Sequence, residues 1–462
     1  MAGGNLDEGE PHGLPGSYLN GVHELRPLPY AEAGYGNPES GQTMINVTNG
    51  KIIRLLVDDE PLDIRYGELR AHERTLDFRA GVLRRRADWA SPAGCTVRVS
   101  SALLVSLVQR SIAAICYEVE ALDSPVRVVV QSELVANEQL PPPGSDPRAA
   151  AVLEAPLAGE EHAAQGARAG LVYVTRRSGL RVAAVMDHVV HGPPGTAVLA
   201  ESFPHLGRAT VMAALGQGQR LRLVKFVAYG WSASRSLPAV RDQAGAALAG
   251  ARRAGWDGLM TGQRSYLDAF WARSDGQLDW DPEIQQAVRF ALFHVLQAGA
   301  RAEGTAIPAK GLTGPGYDGH CFWNSEAYVL PVLTHVAPGA TADALRWRHS
   351  TLPKVTARAR QLGCEARHSR GGPSPAKSAP DTGQPAPPPS TSAPTSPTRS
   401  SATSRRAATS RSNAPSASNC WRKPPGCGAP SAISMPAPAS GSTGSPARMS
   451  TAPSPTTTSR PT

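Results

Sequence analysis

Residues 308–331 read PAKGLTGPGYDGHCFWNSEAYVLP, and this stretch decides how the rest of the chain is read. Glycines at 311, 314, 316 and 319 let the backbone turn tightly and approach a ligand closely. Asp318, His320, Asn324 and Glu326 bring hydrogen-bond donors and acceptors, and Trp323 brings a flat apolar face. A sugar shows hydroxyls around its rim and C–H groups on its faces, so the mixture suits a carbohydrate. A connecting loop whose tryptophan only caps a core has the same composition, and the residues alone leave that second reading open.

Helical patterns flank the stretch. Asp281-Pro282-Glu283 supplies a cap, a first-turn proline and a first-turn acid. Ile284, Val288, Leu292 and Val295 then recur at helical spacing, with Gly299 as a stop. Phe290, Phe293 and Leu296 widen the stripe, as for a helix packed on both sides. Further helical patterns cover 324–335 and 341–362. Upstream, Ser236 and Pro238 open a weaker pattern (Val240, Ala247, Leu248, Ala251) that Gly255-Trp256 interrupts before Leu267, Phe270 and Trp271. Residues 236–280 therefore read as a helical linker. Residues 1–235 read as strands at 75–79, 82–89, 95–100, 112–121, 125–133, 170–175, 181–187, 208–214 and 219–228, separated by turn residues. Asn49-Gly50, between the apolar runs 44–47 and 51–57, predicts a hairpin. Many short strands with regular turns predict an antiparallel β-sandwich.

The net charge of +9 suggests a nucleic-acid or membrane partner until its distribution is read. From residue 365 onward there are eleven Lys or Arg against Glu365 and Asp381; subtracting these from 47 and 38 leaves 36 of each sign in the first 364 residues. The excess lies in a segment with Trp421 as its one aromatic, which argues against nucleic-acid binding. Cysteines at 95, 116, 321, 364, 420 and 427 form no CxxC pair and no metal-ligand spacing, so no metal is expected and the thiols are expected to be reduced. No leader pattern and no membrane-length apolar run are read, and the expectation is a soluble cytoplasmic protein. The Asn46-Val47-Thr48 sequon is then a chance match.

The run Gly316-Tyr317-Asp318-Gly319-His320, followed by Phe322-Trp323-Asn324-Ser325-Glu326, resembles the G-Y-x-G-H-x-F-W-D-T-E signature of the maltose, trehalose and kojibiose phosphorylases, glycoside hydrolase family 65. Gln297–Ala309, Arg346–Pro353, Asn5–Gly9 and Gly16–Gly21 fit the same family, so the resemblance spans roughly residues 4 to 363. Two positions depart from it: Asn324 stands at the family's Asp and Ser325 at its Thr. The resemblance implies an N-terminal β-sandwich, a helical linker and, over 281–364, the first helices of an (α/α)₆ barrel. It also implies inverting phosphorolysis of an α-linked glucose disaccharide, with inorganic phosphate as co-substrate, no cofactor, and a homodimer as in the family. Carried over onto this chain, the saccharide-binding candidates are Trp323 and Asn324, supported by Asp318, His320, Glu326, Arg346 and Arg348. Each support has a plainer reading: a Glu326–Arg346 ion pair, a core histidine at 320, a solvated Arg348.

The family's general acid lies in a Gly-Pro-Asp-Glu-Tyr segment, which this sequence does not contain. No residue here is therefore assigned as catalytic, and the chain is expected to be inactive. A non-catalytic carbohydrate-binding β-sandwich remnant is the alternative. Relative to the family's usual start, early strands also look missing. From Glu365 to Thr462 there is no Leu, Val, Phe or Tyr and one Ile, a composition expected to be disordered. Codons allowed for Ser442–Thr451, read in a shifted frame, spell Ile-Asp-Gly-Val-Thr-Gly-Pro-Asp-Glu-Tyr, and those for 368–374 spell Phe-Pro-Trp-Arg-Thr-Ile. Both are segments the family carries downstream, in this order. A lost base near Gly363 is the expected cause, making 365–462 an out-of-frame tail.

Overall fold

Alternating apolar and polar residues in short runs make strands, and fifteen of them form among the described residues. The computed structural model describes residues 16–27, 40–138, 152–278, 281–300, 304–312, 314 and 316–361. The expectations for 365–462 lie outside these residues. β1 (His23–Pro27) and β2 (Ser40–Met44) pair as a two-stranded antiparallel ribbon. The next strands are β3 (Ile53–Val57), β4 (Glu60–Pro61), β5 (Glu68–Asp77), β6 (Val82–Ala90), β7 (Thr96–Val105), β8 (Ile112–Ala121) and β9 (Val126–Val135). They are followed by β10 (Leu157–Gln165), β11 (Arg168–Thr175), β12 (Arg181–His191), β13 (Ala197–Phe203), β14 (Leu206–Leu215) and β15 (Arg220–Ser232). An eight-stranded antiparallel sheet runs β10-β11-β12-β15-β8-β7-β6-β5, and a five-stranded one runs β13-β14-β9-β3-β4.

The two sheets face each other across a core in which Val99, Tyr117, Val119 and Leu223 of the larger meet Leu55, Val128, Val130 and Val211 of the smaller. A second inter-sheet cluster joins Val182, Ala184 and Met186 to Leu134 and Ala209. This is the antiparallel sandwich the sequence predicts. The hairpin at Asn49-Gly50 does not form. β2 pairs with β1, whereas β3 pairs with β9 and β4, so the flanking strands belong to different sheets. Asn49 instead bridges Val135 and donates through Nδ2 to Glu138, while Gly50 N–H donates to the Tyr229 hydroxyl. These long-range bonds hold the dipeptide across the sandwich, outweighing its local turn preference.

The central strands of the larger sheet are buried on both faces, while its edge strands β5 and β10 are largely exposed. Ala183, Val185, Val224 and Phe226 point away from the smaller sheet and onto Val240, Ala244, Leu248 and Ala251 of α1 (Leu237–Ser274). The sequence shows only a weak apolar face here because alanine supplies half of it; small side chains let a helix lie close on a sheet. Ser236 is extended but makes no side-chain cap, and the expected break falls at Gly255. Gln263, buried in α1, accepts from Leu107 N–H and donates to Val105 O. Trp271 Nε1 donates to Phe78 O.

α2 (Pro282–Gly299) starts at Asp281, whose carboxylate accepts from the N–H groups of Glu283 and Ile284. Arg289 holds Asp275 beyond the end of α1 at 2.7 and 2.9 Å, and Phe293 packs at a tilt against Phe78 of the sandwich. Only one side of α2 is covered: Ile284, Val288 and Phe290 are exposed, contrary to a helix packed on both sides. α3 (Leu330–Val336), α4 (Pro338–Ser350) and α5 (Leu352–Gln361) follow, and Leu330, Leu333, Ala340 and Ala344 form a small core with Ala298 and Ile307.

Candidate functional site

The site loop lies between α2 and α3, and its first half is fixed to the sandwich. A 3₁₀ turn at Gly316–Gly319 places two non-glycine residues, Tyr317 (φ 58°) and Asp318 (φ 56°), in the left-handed region. Such residues carry on the order of 1 kcal/mol of strain each and persist where the surroundings over-determine them. Here the Asp318 carboxylate accepts from Thr43 Oγ1 at 2.7 Å and from Arg26 Nη2 at 2.8 Å. His320 Nε2 lies 2.6 Å from Gln42 O; a carbonyl only accepts, so Nε2 carries the proton. Gly319 (φ 70°) presses on Met44, and a Cβ there would sit 2.8 Å from the Met44 Cβ. His23 packs into the same junction, where burial and then the neighbouring His320 push its pKa down to about 4. Lower in the fold, Asn20 Nδ2 donates to Ala306 O at 2.7 Å.

The second half faces outward. Trp323 is 48% exposed, Asn324 is exposed, and Ser325–Val329 winds as a π-helical turn into α3. Arg348 reaches from α4 between two indoles, its guanidinium carbon 4.5 Å from the Trp323 ring centre and 4.9 Å from that of Trp347. This placement against two aromatic rings suits a planar guanidinium. Arg348 Nε donates to Glu326 Oε1 and its Nη2 lies 3.2 Å from Cys321 Sγ. The Glu326 side chain is 5% exposed, and its Oε2 has no hydrogen-bond partner among the described residues. Burial pushes the Cys321 thiol pKa up.

Of the seven sequence candidates, Trp323 and Glu326 are brought together by Arg348, and Asn324 is exposed next to Trp323 in the chain. Asp318 and His320 belong to the same loop but are engaged by β1 and β2. Arg346 stands apart, exposed and paired with Asp343 at 2.6 Å. The alternative Glu326–Arg346 pair is thus replaced by Glu326–Arg348, because Arg348, one helical half-turn further round α4, points at the loop. Arg348 is not a solvated arginine. Arg26, Thr43 and Trp347 escaped the sequence reading. Trp347 immediately precedes Arg348, the partner of Glu326, in Arg346-Trp347-Arg348 and was legible as an aromatic between cations; nothing local marks Arg26 or Thr43. Among the described residues no group of three or more His, Cys, Asp or Glu is arranged to hold a metal. No described helix is long and apolar enough to cross a membrane.

Residues 3–270 match the family profile described as "Glycosyl hydrolase family 65, N-terminal domain", which is more than half of the chain. Residues 289–384 match the "Glycosyl hydrolase family 65 central catalytic domain". The chain belongs to glycosyl hydrolase family 65. An uncharacterized glycosyl hydrolase of Mycobacterium tuberculosis is 60% identical over 362 residues, covering 78% of this chain and 46% of that protein. An alpha,alpha-trehalose phosphorylase of Thermoanaerobacter brockii is 31% identical over 350 residues, covering 75% of this chain and 45% of its own length. A solved structure assigned as a kojibiose phosphorylase from the human microbiome shares the fold at TM-score 0.68 and 23% identity, over 76% of this chain and 45% of that one. The chain therefore spans less than half the length of these family 65 relatives. The antiparallel sheet-rich domain and most of α1 lie in the N-terminal match, and most of α2 and all of α3–α5 lie in the match to the central catalytic domain.

Proposed function

We propose that the chain carries the glucosyl-binding part of a family 65 phosphorylase acting on an α-linked glucose disaccharide. The observation that carries this reading is the exposed Trp323 face held by Arg348 beside the free amide of Asn324. An aromatic face covers the C–H groups of a pyranose, and an adjacent amide offers both a donor and an acceptor to its hydroxyls. Glu326 and Arg348 act beneath it as supports; Asp318 and His320 support the loop from the other side. Arg346 is proposed at most as an outer contact. The relatives described as trehalose, kojibiose and maltose phosphorylases support disaccharide and phosphate as the substrates of the whole protein.

In inverting phosphorolysis one carboxylic acid protonates the glycosidic oxygen while phosphate attacks the anomeric carbon from the opposite face. The 462 residues contain no Gly-Pro-Asp-Glu-Tyr segment, so none of them is proposed as that acid. The chain as it stands is proposed to bind and not to turn over, since general acid catalysis alone supplies on the order of 10² to 10⁴ in rate. Calorimetric titration with glucose, trehalose, maltose and kojibiose tests this. Saturable binding is expected, lost in Trp323→Ala, with no β-glucose 1-phosphate formed when phosphate is added. Binding that survives Trp323→Ala would remove the platform reading, and robust phosphorolysis would show that the acid lies among these residues. The frame change near Gly363 remains part of the proposal, and sequencing across that codon decides it.

A further inference from the structure

The β1–β2 ribbon stands outside both sheets of the sandwich, yet it engages the first half of the site loop at several points. Its face carrying Arg26 and Thr43 grips both oxygens of Asp318, at 2.8 and 2.7 Å. Its backbone takes the His320 ring at Gln42 O, and its Met44 side chain fills the space that a Cβ on Gly319 would need. The ribbon is itself tied down. Glu24, 2% exposed, accepts from the N–H groups of Arg177 and Ser178 in the turn between β11 and β12. Five residues after Asp318, the chain presents Trp323. Between them His320 N–H donates to Tyr317 O, and the Tyr317 ring packs edge-on against that of Phe322, centroids 5.6 Å apart, next to Trp323 in the chain, so the turn is coupled to the platform.

Left to itself, a turn with Tyr317 and Asp318 both left-handed relaxes to an ordinary conformation, and Trp323 shifts with it. The Asp318 bonds are what oppose that relaxation. We propose that Arg26 and Thr43 are positioning residues of the saccharide site: acting through Asp318, they hold the left-handed turn and thereby fix where the Trp323–Asn324 surface stands. The inference rests on the saccharide reading of that surface. It places a determinant of binding on the N-terminal domain, far in sequence from the loop it serves.

Thr43→Val removes one hydrogen bond to a charged carboxylate at almost constant volume, and Thr43→Ser keeps it. Two measurements on the full chain separate the possibilities. Hydrogen exchange of the amides at 316–326 reads the turn, and glucose titration reads the surface. In Thr43→Val, exchange across 316–326 is expected to rise while the sandwich strands β8, β12 and β15 stay protected. Glucose affinity is expected to fall by about tenfold, which corresponds to about 1.4 kcal/mol. Thr43→Ser is expected to restore both, and Arg26→Met to repeat the Thr43→Val pattern. Unchanged exchange at 316–326 in Thr43→Val overturns the positioning role. Loosened exchange with undiminished glucose affinity overturns it as well, since the turn then does not govern the surface. If the unaltered chain binds no glucose, the saccharide reading fails on its own, and the exchange arm still decides whether the ribbon holds the turn.

Discussion

Arg348 shows how one side chain ties three functions together. It pairs with a nearly buried carboxylate, contacts a thiol and is stacked by two indoles, and each partner lies on the loop or on its own helix. Removing the cation strands the Glu326 carboxylate where its other oxygen already lacks a partner. Arg348→Ala is therefore expected to cost about 3 kcal/mol, the usual consequence of breaking a buried pair from one side, read by urea unfolding at neutral pH. Arg348→Lys is expected to recover part of the stability and little of the glucose binding, because an ammonium keeps the charge without the planar stack. Full stability in Arg348→Ala would show that the pair is not buried in solution. His188 gives the pH dependence. It is 3% exposed; Nδ1 donates to Ala167 O, and Nε2 lies 2.8 Å from the Ser132 hydroxyl. Burial, then the Lys225 charge, lowers its pKa to about 4; Asp187 opposes this and Arg252 adds to it. The folded pKa is below the unfolded 6.5, so the unfolded chain takes up the proton first as pH falls. The stability is complete above about 6.5 and is lost between there and about 4, by up to about 3 kcal/mol. Unfolding midpoints measured at pH 7.5, 6, 5 and 4.5 should fall along that course, and His188→Gln should lessen the fall, leaving the part that His23 contributes over the same range.

At the scale of elements, the sequence was most legible where periodicity alone decides. Asp281 capping α2, and strands such as β6, β8 and β12, are local patterns and form as read. β1, β2, β10 and β13 were not anticipated. Ser40–Met44 and Leu157–Gln165 carry few branched or aromatic residues, and their strand state comes from the neighbours they pair with. The Asn49-Gly50 hairpin was misread for the same reason in reverse: a strong local turn signal yields to bonds from Val135, Glu138 and Tyr229. In the site, Trp323, Asn324, Glu326 and Arg348 were visible because the loop and α4 carry them in recognisable company. Arg26 and Thr43 lie 292 and 275 positions before their partner, and no local pattern reports a contact of that span. The break in α1 was legible and invites a test. Gly255 has φ 68° and ψ 177°, a region essentially restricted to glycine, while a Cβ there would meet nothing within 4 Å. Gly255→Ala is expected to cost about 1–3 kcal/mol from backbone strain alone. A denaturation curve matching that of the unaltered chain would mean that the helix straightens through this point without penalty.

The whole molecule joins a well-covered half to a half-covered one. The sandwich buries both faces of the central strands of its larger sheet, one under the smaller sheet and the other under α1. The helices beyond residue 281 rest on a small core around Leu333 and Ala298 and, through Phe293 and Leu296, on the end of α1, and leave apolar residues in solvent. Ile284 and Val288, four residues apart on α2, are both exposed, as are Phe290, Val355 and, at 75%, Tyr328. Singly exposed apolar residues are ordinary, but a helix face that repeats them is a surface in need of cover. The relatives that this chain matches are more than twice as long as the matched region, so in them further chain is present to meet such a face. In the 462-residue chain the face is expected to meet copies of itself. Light scattering and size-exclusion chromatography should show self-association that grows with concentration and weakens on cooling, as burial of apolar surface does. Replacing Ile284 and Val288 together by glutamate should reduce that association. It should leave the unfolding midpoint of the sandwich unchanged, because neither side chain contributes to a buried cluster. A chain that stays monomeric at every concentration would show that this face is covered within the molecule, and an association untouched by the double substitution would place the contact elsewhere.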